Sequence, residues 1–275
     1  MKATYIDHMG TDLSVVNAAK VSFGKRSVFE GRVGGPNVLS KQDQSLIQFL
    51  ARGCTSSDWK VLTEELIENT KIVGFEWVEW YDTDELESLL NYIRRMPSHW
   101  SPFAHTAISL HLKMPLFVAR QIMKHTTGIE YNEISRRYVD SEPQFYVPDM
   151  WRKKSADVKQ GSSAEVVEDL LPEHEQPNFW GYMLDPNEAY EMHVQASEEL
   201  YNMMIANKVA PEMARMVLPQ SMYTEVIMTG NLYAIANLYN QRTDSHAQKE
   251  TQDLAKQIGD IVEPLYPVSW KALTK

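Results

Sequence analysis

The sequence predicts an α+β protein in which helices dominate. Short segments that alternate apolar and polar residues, such as 106–112 (TAISLHL), indicate strands, because strand side chains point to opposite faces in turn. Longer segments with apolar residues three and four apart, such as 187–207, indicate amphipathic helices. The 275 residues are enough for one large domain or two small ones.

The same two patterns locate the individual elements along the chain. Strands are predicted at 3–8, 14–22, 106–112 and 223–228. Helices are predicted at 40–50, 84–96, 187–207, 232–242 and 246–262, and Pro115 and Pro211 are each expected to open a shorter helix. Two further stretches are interpreted as insertions: 54–83, which is mixed and rich in Trp, Glu and Thr, and 151–182, which is polar.

Composition and charge exclude several classes of protein. The net charge of −10 argues against a broad basic face for nucleic acid or a membrane surface. No stretch approaches the roughly 18 apolar residues of a transmembrane helix, and residues 1–15 contain no uninterrupted apolar run of the length expected in a signal peptide. The single cysteine, Cys54, excludes an internal disulfide and fits the cytoplasm. No histidine has a metal-ligand spacing, so we expect no metal.

The segment 120–138 (RQIMKHTTGIEYNEISRRY) concentrates side chains suited to ligand recognition. Arg120, Lys124, Arg136 and Arg137 supply positive charge, and arginine matches phosphate oxygens with two donors. Gln121, Asn132, Glu133 and Ser135 supply the hydrogen-bonding groups that read the edge of a planar ring. The alternative is a solvent-exposed polar loop, which composition alone favours.

Two further clusters lie in the C-terminal half. Arg215 stands among apolar residues in 214–219, and a buried cation there would need a core carboxylate or a bound anion as its partner. Arg242 and His246 are four residues apart and would share one face of a helix. The alternative for His246 is an exposed histidine at the start of a helix.

Familiar catalytic and nucleotide-binding motifs do not occur in the sequence. GxGxxG, GxxxxGK[ST], GxSxG and HExxH are all missing. Cys54 has no neighbouring histidine that would lower its pKa, so it is interpreted as an ordinary cysteine.

Taken together, the clusters resemble the flavin-dependent thymidylate synthases, the ThyX family. The blocks that carry the resemblance are 9–25 (MGTDLSVVNAAKVSFGK), 99–106 (HWSPFAHT), 120–138, 214–219 (ARMVLP) followed by Tyr223-Thr224, and 231–248, all in the expected order. The resemblance implies one catalytic domain over 1–275, built on a central, mostly antiparallel sheet flanked by helices. It also implies a homotetramer with shared active sites.

The resemblance also assigns roles to individual residues. It implies that dUMP is methylated to dTMP with methylenetetrahydrofolate as carbon donor, reduced FAD as hydride source and NADPH as the reductant of FAD. The residues implied to bind dUMP are Gln121, Glu133, Ser135, Arg136, Arg137, Arg215 and Arg242. Those implied to contact FAD are Ser101, Lys124, His125, Asn231, Asn237 and His246.

Three residues are expected to lie at the chemistry itself. The resemblance places Arg242 against the uracil, where a fixed cation favours the N3-deprotonated form. Ser135 is expected to hydrogen-bond the nucleotide rather than to act as a nucleophile, and His99 to lie near the folate and flavin. A cysteine nucleophile is not expected in this family.

The sequence departs from the family pattern where flavin is expected to bind. The usual Arg-His-Arg is here Lys124-His125-Thr126, and Tyr233 stands where arginine is common. Such departures are, by resemblance, common in bacteriophage members, which would place the protein in the host cytoplasm. The alternative function is a non-catalytic nucleotide-binding relative without flavin. An RNA-binding protein is a third possibility, against which the acidic charge argues.

Overall fold

A computed structural model describes most of the chain. The described residues are 1–30, 37–54, 98–139, 141–155, 162–168, 170 and 185–274. The predicted helix at 84–96 and all of the 54–83 insertion except Cys54 lie outside them.

A four-stranded antiparallel sheet, in the order β1-β2-β6-β3, confirms the predicted fold class. Its strands are β1 (Lys2–Met9), β2 (Ala107–Pro115), β3 (Ile129–Glu133) and β6 (Tyr223–Gly230). In β2 the buried residues alternate with half-exposed ones, as the sequence pattern predicts for a sheet with one apolar face. On the other face, Ser109 and Thr229 share a hydrogen bond of 2.9 Å between their hydroxyls.

A separate two-stranded hairpin lies within the stretch 151–182. It consists of β4 (Arg152–Lys154) and β5 (Ser162–Val166), which pair antiparallel. The sequence indicated no strands there, because the residues are mostly polar and do not alternate.

The helices largely follow the predicted apolar stripes. They are α1 (Asp12–Lys20), α2 (Lys41–Leu50), α3 (Leu116–Ile122), α4 (Pro186–Ala206), α5 (Pro211–Ala214), α6 (Leu232–Thr243), α7 (Lys249–Val262) and α8 (Pro267–Leu273). Short 3₁₀ turns span Val21–Phe23, Ser101–Ala104 and Arg215–Val217. The sequence did not predict α8.

Three element predictions need correction. Residues 14–22 are not a strand, because Thr11 caps α1 in a capping box with Ser14 and the helix buries Val15 and Val16. Pro115 ends β2 and precedes α3 rather than lying in its first turn. The last long helix begins at Lys249, three residues after the predicted start at His246.

The chain divides into two compact units. The first contains 1–6, 109–229 and 241–258, and the second contains 7–108, 230–240 and 259–275. The expectation of one catalytic domain over 1–275 stays a prediction. Among the described residues, no helix is both long and apolar enough to cross a lipid bilayer.

Aromatic and capping contacts hold the second unit together. The ring of Tyr239 packs edge-on against Trp270 with a centroid distance of 5.0 Å. Gly259 lies so close to Tyr239 that a Cβ atom would come within 2.4 Å of its ring. The buried carboxylate of Asp12 accepts hydrogen bonds from the backbone of Val268 at 2.9 Å and Ser269 at 2.8 Å. A single side chain therefore caps α8 from elsewhere in the sequence.

Asp12→Ala is expected to lower the free energy of unfolding by about 2–3 kcal/mol, since two buried backbone donors lose a charged acceptor. Denaturant unfolding measures this change. Asp253→Asn is a suitable control, because within the described part of the chain Asp253 pairs with Lys249 at the solvent-exposed surface, and we expect a change below about 0.5 kcal/mol. Equal effects of the two substitutions would contradict the capping role of Asp12.

Candidate active site

Arg242, in the last turn of α6, is the centre of a hydrogen-bonded cluster in the first compact unit. Its Nε donates to Nε2 of His125 at 2.9 Å, and its Nη2 donates to the backbone oxygen of Gln121 at 2.9 Å. The sequence separates Arg242 from these residues by more than 110 positions. The fold therefore joins two of the clusters that the sequence had singled out.

The side chain of Gln121 is fixed as well. Its Nε2 donates to Oε1 of Gln248 at 2.7 Å, just before the start of α7. Tyr131, in β3, donates its hydroxyl to the backbone oxygens of His125 at 2.9 Å and Ile122 at 3.1 Å. Hydrogen bonds thus connect the end of α3 to β3 and to the residue that precedes α7.

The polar end of β3 is positioned by its neighbour β6. The backbone nitrogen of Ile134 donates to the oxygen of Glu225 at 2.9 Å, which continues the pairing of the two strands. The buried Thr224 donates its hydroxyl to Oε1 of Glu133 at 2.7 Å. Glu133 is therefore held by the sheet, although its side chain is exposed.

A turn follows β3 and carries Ser135, Arg136 and Arg137. The Ser135 hydroxyl accepts hydrogen bonds from the backbone nitrogen and Nε of Arg137, both at 3.4 Å. Arg136 donates to the backbone oxygen of Ser141, and the guanidinium of Arg137 lies over the ring of Tyr138. This part of segment 120–138 is the polar, solvent-accessible turn that composition indicated.

Arg215 does not occupy the buried environment that its apolar neighbours suggested. It starts the 3₁₀ turn Arg215–Val217 and is exposed, as is Met216 beside it. The hypothesis of a buried cation with a core carboxylate partner is therefore wrong. Apolar neighbours do not indicate burial in so short a turn, because an apolar side chain of the turn, Met216, also faces solvent.

Lys124 and His246, which the resemblance assigns to the cofactor, are both exposed in the first unit. His246 lies in the turn after α6, where Asp244 accepts hydrogen bonds at 2.8 Å from its backbone nitrogen and pairs with its Nδ1 at 2.8 Å. The hydrogen bond from the His246 backbone and that from its ring lower the pKa of Asp244. Because α6 ends at Thr243, Arg242 and His246 do not share a helical face as predicted.

The remaining predicted residues lie in the second compact unit. His99 is half-buried and stacks on Phe49 with a ring distance of 5.5 Å. Ser101 is exposed at the start of a 3₁₀ turn, and Asn237 is half-buried in α6. The side-chain oxygen of Asn231 accepts a hydrogen bond from the backbone of Ala234 at 2.9 Å, so it caps α6. Its amide nitrogen remains a donor.

Tyr131 and Gln248 have contacts in the cluster that the sequence did not anticipate. Gln248 was part of a matched block but received no role, and Tyr131 is a single tyrosine in a polar segment. The pattern of β3 is a weak indicator for Tyr131. Ile129, Tyr131 and Glu133 occupy alternate positions and so lie on one face of the strand, but of these three Ile129 alone is buried. Among the described residues, no group of three metal-ligating side chains comes together.

Comparison with known proteins gives consistent matches over most of the chain. A family model described as thymidylate synthase complementing protein (Thy1) matches residues 4–268. A protein of Thermosipho africanus named flavin-dependent thymidylate synthase is 35% identical over 193 residues, or 70% of this chain and 79% of that protein. A protein of the same name from Pseudothermotoga lettingae is 26% identical over 98% of this chain and 88% of its own length.

Solved structures share the fold. A UMP/dUMP methylase, PolB from Streptomyces cacaoi, bound with 5-Br dUMP, matches with a TM-score of 0.61 and 23% sequence identity. The match covers 99% of this chain and 94% of that protein. At this identity the likeness supports the arrangement of strands and helices.

Proposed function

The chain belongs to the thymidylate synthase complementing protein family, and we propose that it is a flavin-dependent thymidylate synthase that methylates dUMP to dTMP. The observation that carries the proposal is the fixed guanidinium of Arg242, which lies beside Gln121 and His125. The relatives that share the family are named for this reaction.

The geometry of Arg242 suits recognition of a uracil edge. Two of its three nitrogens are engaged, and no described residue accepts a hydrogen bond from Nη1. A fixed cation beside the base stabilises the anion formed when N3 loses its proton, because opposite charges favour the ionised form. Arg242 would thereby raise the electron density of the ring without a covalent bond to the enzyme.

The remaining substrate contacts are proposed from the polar turn and the residues around it. Arg136, Arg137 and Arg215 would bind the phosphate, since arginine pairs with its oxygens through two donors. Gln121, Glu133 and Ser135 would hydrogen-bond the nucleoside. Arg215 would come from a neighbouring subunit of a homotetramer, which agrees with its exposed position.

The chemistry proposed for this site requires no nucleophilic side chain. Cys54 is 8% exposed, and its Sγ donates to the backbone oxygen of Leu50 at 3.6 Å. The hydroxyl of Ser135 accepts from Arg137, a cation that cannot act as a base. Neither contact resembles an activated nucleophile, in which an adjacent base takes the proton.

The side chains present fit a flavin. Bound flavin supplies the hydride that converts the transferred one-carbon unit to a methyl group. The exposed Lys124 and His246 are suited to the diphosphate of FAD, and His125, next to Lys124 in the chain, is proposed as a further contact. In the second unit, Ser101, Asn231 and Asn237 offer hydrogen-bonding groups for the cofactor. We propose FAD as the flavin, NADPH as its reductant, methylenetetrahydrofolate as the carbon donor near His99, and the cytoplasm as the location.

The purified protein is expected to absorb as a flavoprotein and to oxidise NADPH faster when dUMP is added. An absorbance spectrum, followed by release and identification of the cofactor, tests the first part. The rate of loss of NADPH absorbance with and without dUMP tests the second, and a stopped assay for dTMP with methylenetetrahydrofolate tests the complete reaction. A colourless protein that FAD cannot reconstitute but that still binds dUMP would instead indicate the non-catalytic nucleotide-binding alternative.

Arg242→Ala is expected to reduce kcat/KM for dTMP formation by about 100-fold or more, the usual cost of removing one preorganised charged donor. Cys54→Ala is the matched control. It removes the buried thiol of the one cysteine, which lies outside the cluster, and activity should remain within a few-fold of that of the unchanged protein. Loss of activity in the cysteine variant alone, with folding intact, would indicate covalent catalysis and sink the proposed mechanism.

A further inference from the structure

The direction of one hydrogen bond determines the protonation state of His125. Nε of arginine always carries a hydrogen at accessible pH, so the 2.9 Å contact requires an unprotonated Nε2 on His125. The imidazole can therefore hold Arg242 only while it is neutral. A protonated ring would lose the hydrogen bond and place a second positive charge against the guanidinium.

The surroundings of His125 favour this neutral form. Burial, and then the charge of Arg242, lower the pKa of His125 from its ordinary value of 6.5. Among the described residues, the ionisable groups that contact or adjoin it are Arg242 from α6, Tyr131 from β3 and Lys124, its neighbour in the chain. None of these supplies the negative charge that would stabilise an imidazolium.

Tyr131 fixes the backbone that carries the ring. Its hydroxyl donates to the oxygen of His125 at 2.9 Å and contacts that of Ile122 at 3.1 Å, which joins β3 to the end of α3. Burial raises the pKa of the Tyr131 hydroxyl, although Arg242 opposes the shift, so it remains a donor over the whole physiological range. The hydroxyl therefore keeps this link at any pH at which the protein is active.

We infer that His125 and Tyr131 are positioning residues: the neutral imidazole orients Arg242 toward the nucleotide, and Tyr131 holds the imidazole in place. The inference deepens the proposed function, because it rests on Arg242 contacting dUMP. It gives His125 a task within the protein that is separate from any contact with flavin. As pH falls through the pKa of His125, the orientation of Arg242 is lost, and nucleotide affinity falls with it.

Calorimetric titration of the purified protein with dUMP over a range of pH tests the inference. The dUMP phosphate also titrates near this range, so His125→Gln is the decisive variant. Glutamine places a non-titrating amide oxygen close to the position of Nε2. At neutral pH we expect His125→Gln to bind dUMP within about threefold of the affinity of the unchanged protein. At acid pH the unchanged protein should bind about tenfold more weakly than phosphate titration alone accounts for, and His125→Gln should lack this extra loss of affinity. His125→Phe should bind about tenfold more weakly at neutral pH.

The role of Tyr131 is tested by the same titration. Tyr131→Phe should weaken dUMP binding about fivefold, because it removes the donor that fixes His125. Tyr201→Phe is the matched control, since the Tyr201 hydroxyl is buried and has no hydrogen-bond partner in the described part of the chain. Equal affinities of the two tyrosine variants would contradict the role of Tyr131.

A measurement without nucleotide separates this inference from the proposed function. The pKa of His125, followed by NMR, should rise in Arg242→Gln because the adjacent positive charge is removed. An unchanged pKa, or identical pH dependence of dUMP binding in His125→Gln and the unchanged protein, would overturn the inference. If the pKa of His125 rises in Arg242→Gln but the protein does not bind dUMP, the proposed substrate is overturned and the hydrogen bond between His125 and Arg242 stands.

Discussion

The hydrogen bonds from Arg242 to His125 and Gln121 are the constraint on which the candidate site depends. A long, flexible side chain loses substantial rotamer entropy when it is fixed, and two charge-assisted hydrogen bonds offset that cost. Gln121 lies in the last turn of α3 and His125 lies three residues after its end, whereas Arg242 lies in the last turn of α6. The direction of the free edge of the guanidinium is therefore set by how the ends of these helices meet.

The sheet provides the rigid frame for the rest of the cluster. Pairing of β3 with β6 brings Glu133 beside Thr224 and places Tyr131 under the turn that carries His125. Buried positions alternate along β6 and along β2 as far as Met114, so a shift of one residue would turn those buried side chains toward solvent. The register that buries the core therefore also fixes the position of the polar groups at the end of β3. The arginines of the following turn have fewer such contacts, as is typical of groups that a ligand must order.

Elements with a strong periodic pattern could be predicted from the sequence, and weaker ones could not. The sequence predicts the strand at 106–112 because its buried residues alternate. It predicts the helix at 187–207 from the spacing of its apolar residues, although Ser197 and Tyr201 are the two residues of that range that are buried. A loose alternation predicts a strand at 14–22, but the segment is helical, because the capping box and the two adjacent buried valines of α1 outweigh that alternation. Of the candidate site, segment 120–138 and Arg242 were identified from the sequence and its resemblance. The partners that fix them, Tyr131 and Gln248, depend on contacts between distant segments, which no local pattern encodes.

The central claim is that a fixed Arg242 activates dUMP by stabilising the base in its N3-deprotonated form. The protonation state of N3 can be observed directly by NMR, with dUMP that carries an isotopic label at N3, bound to the purified protein at neutral pH. We predict that the nitrogen resonance of N3 moves on binding from the position of the neutral base to that of the anion. A resonance that stays at the position of the neutral base in the bound nucleotide, with Arg242 intact, would contradict this activation.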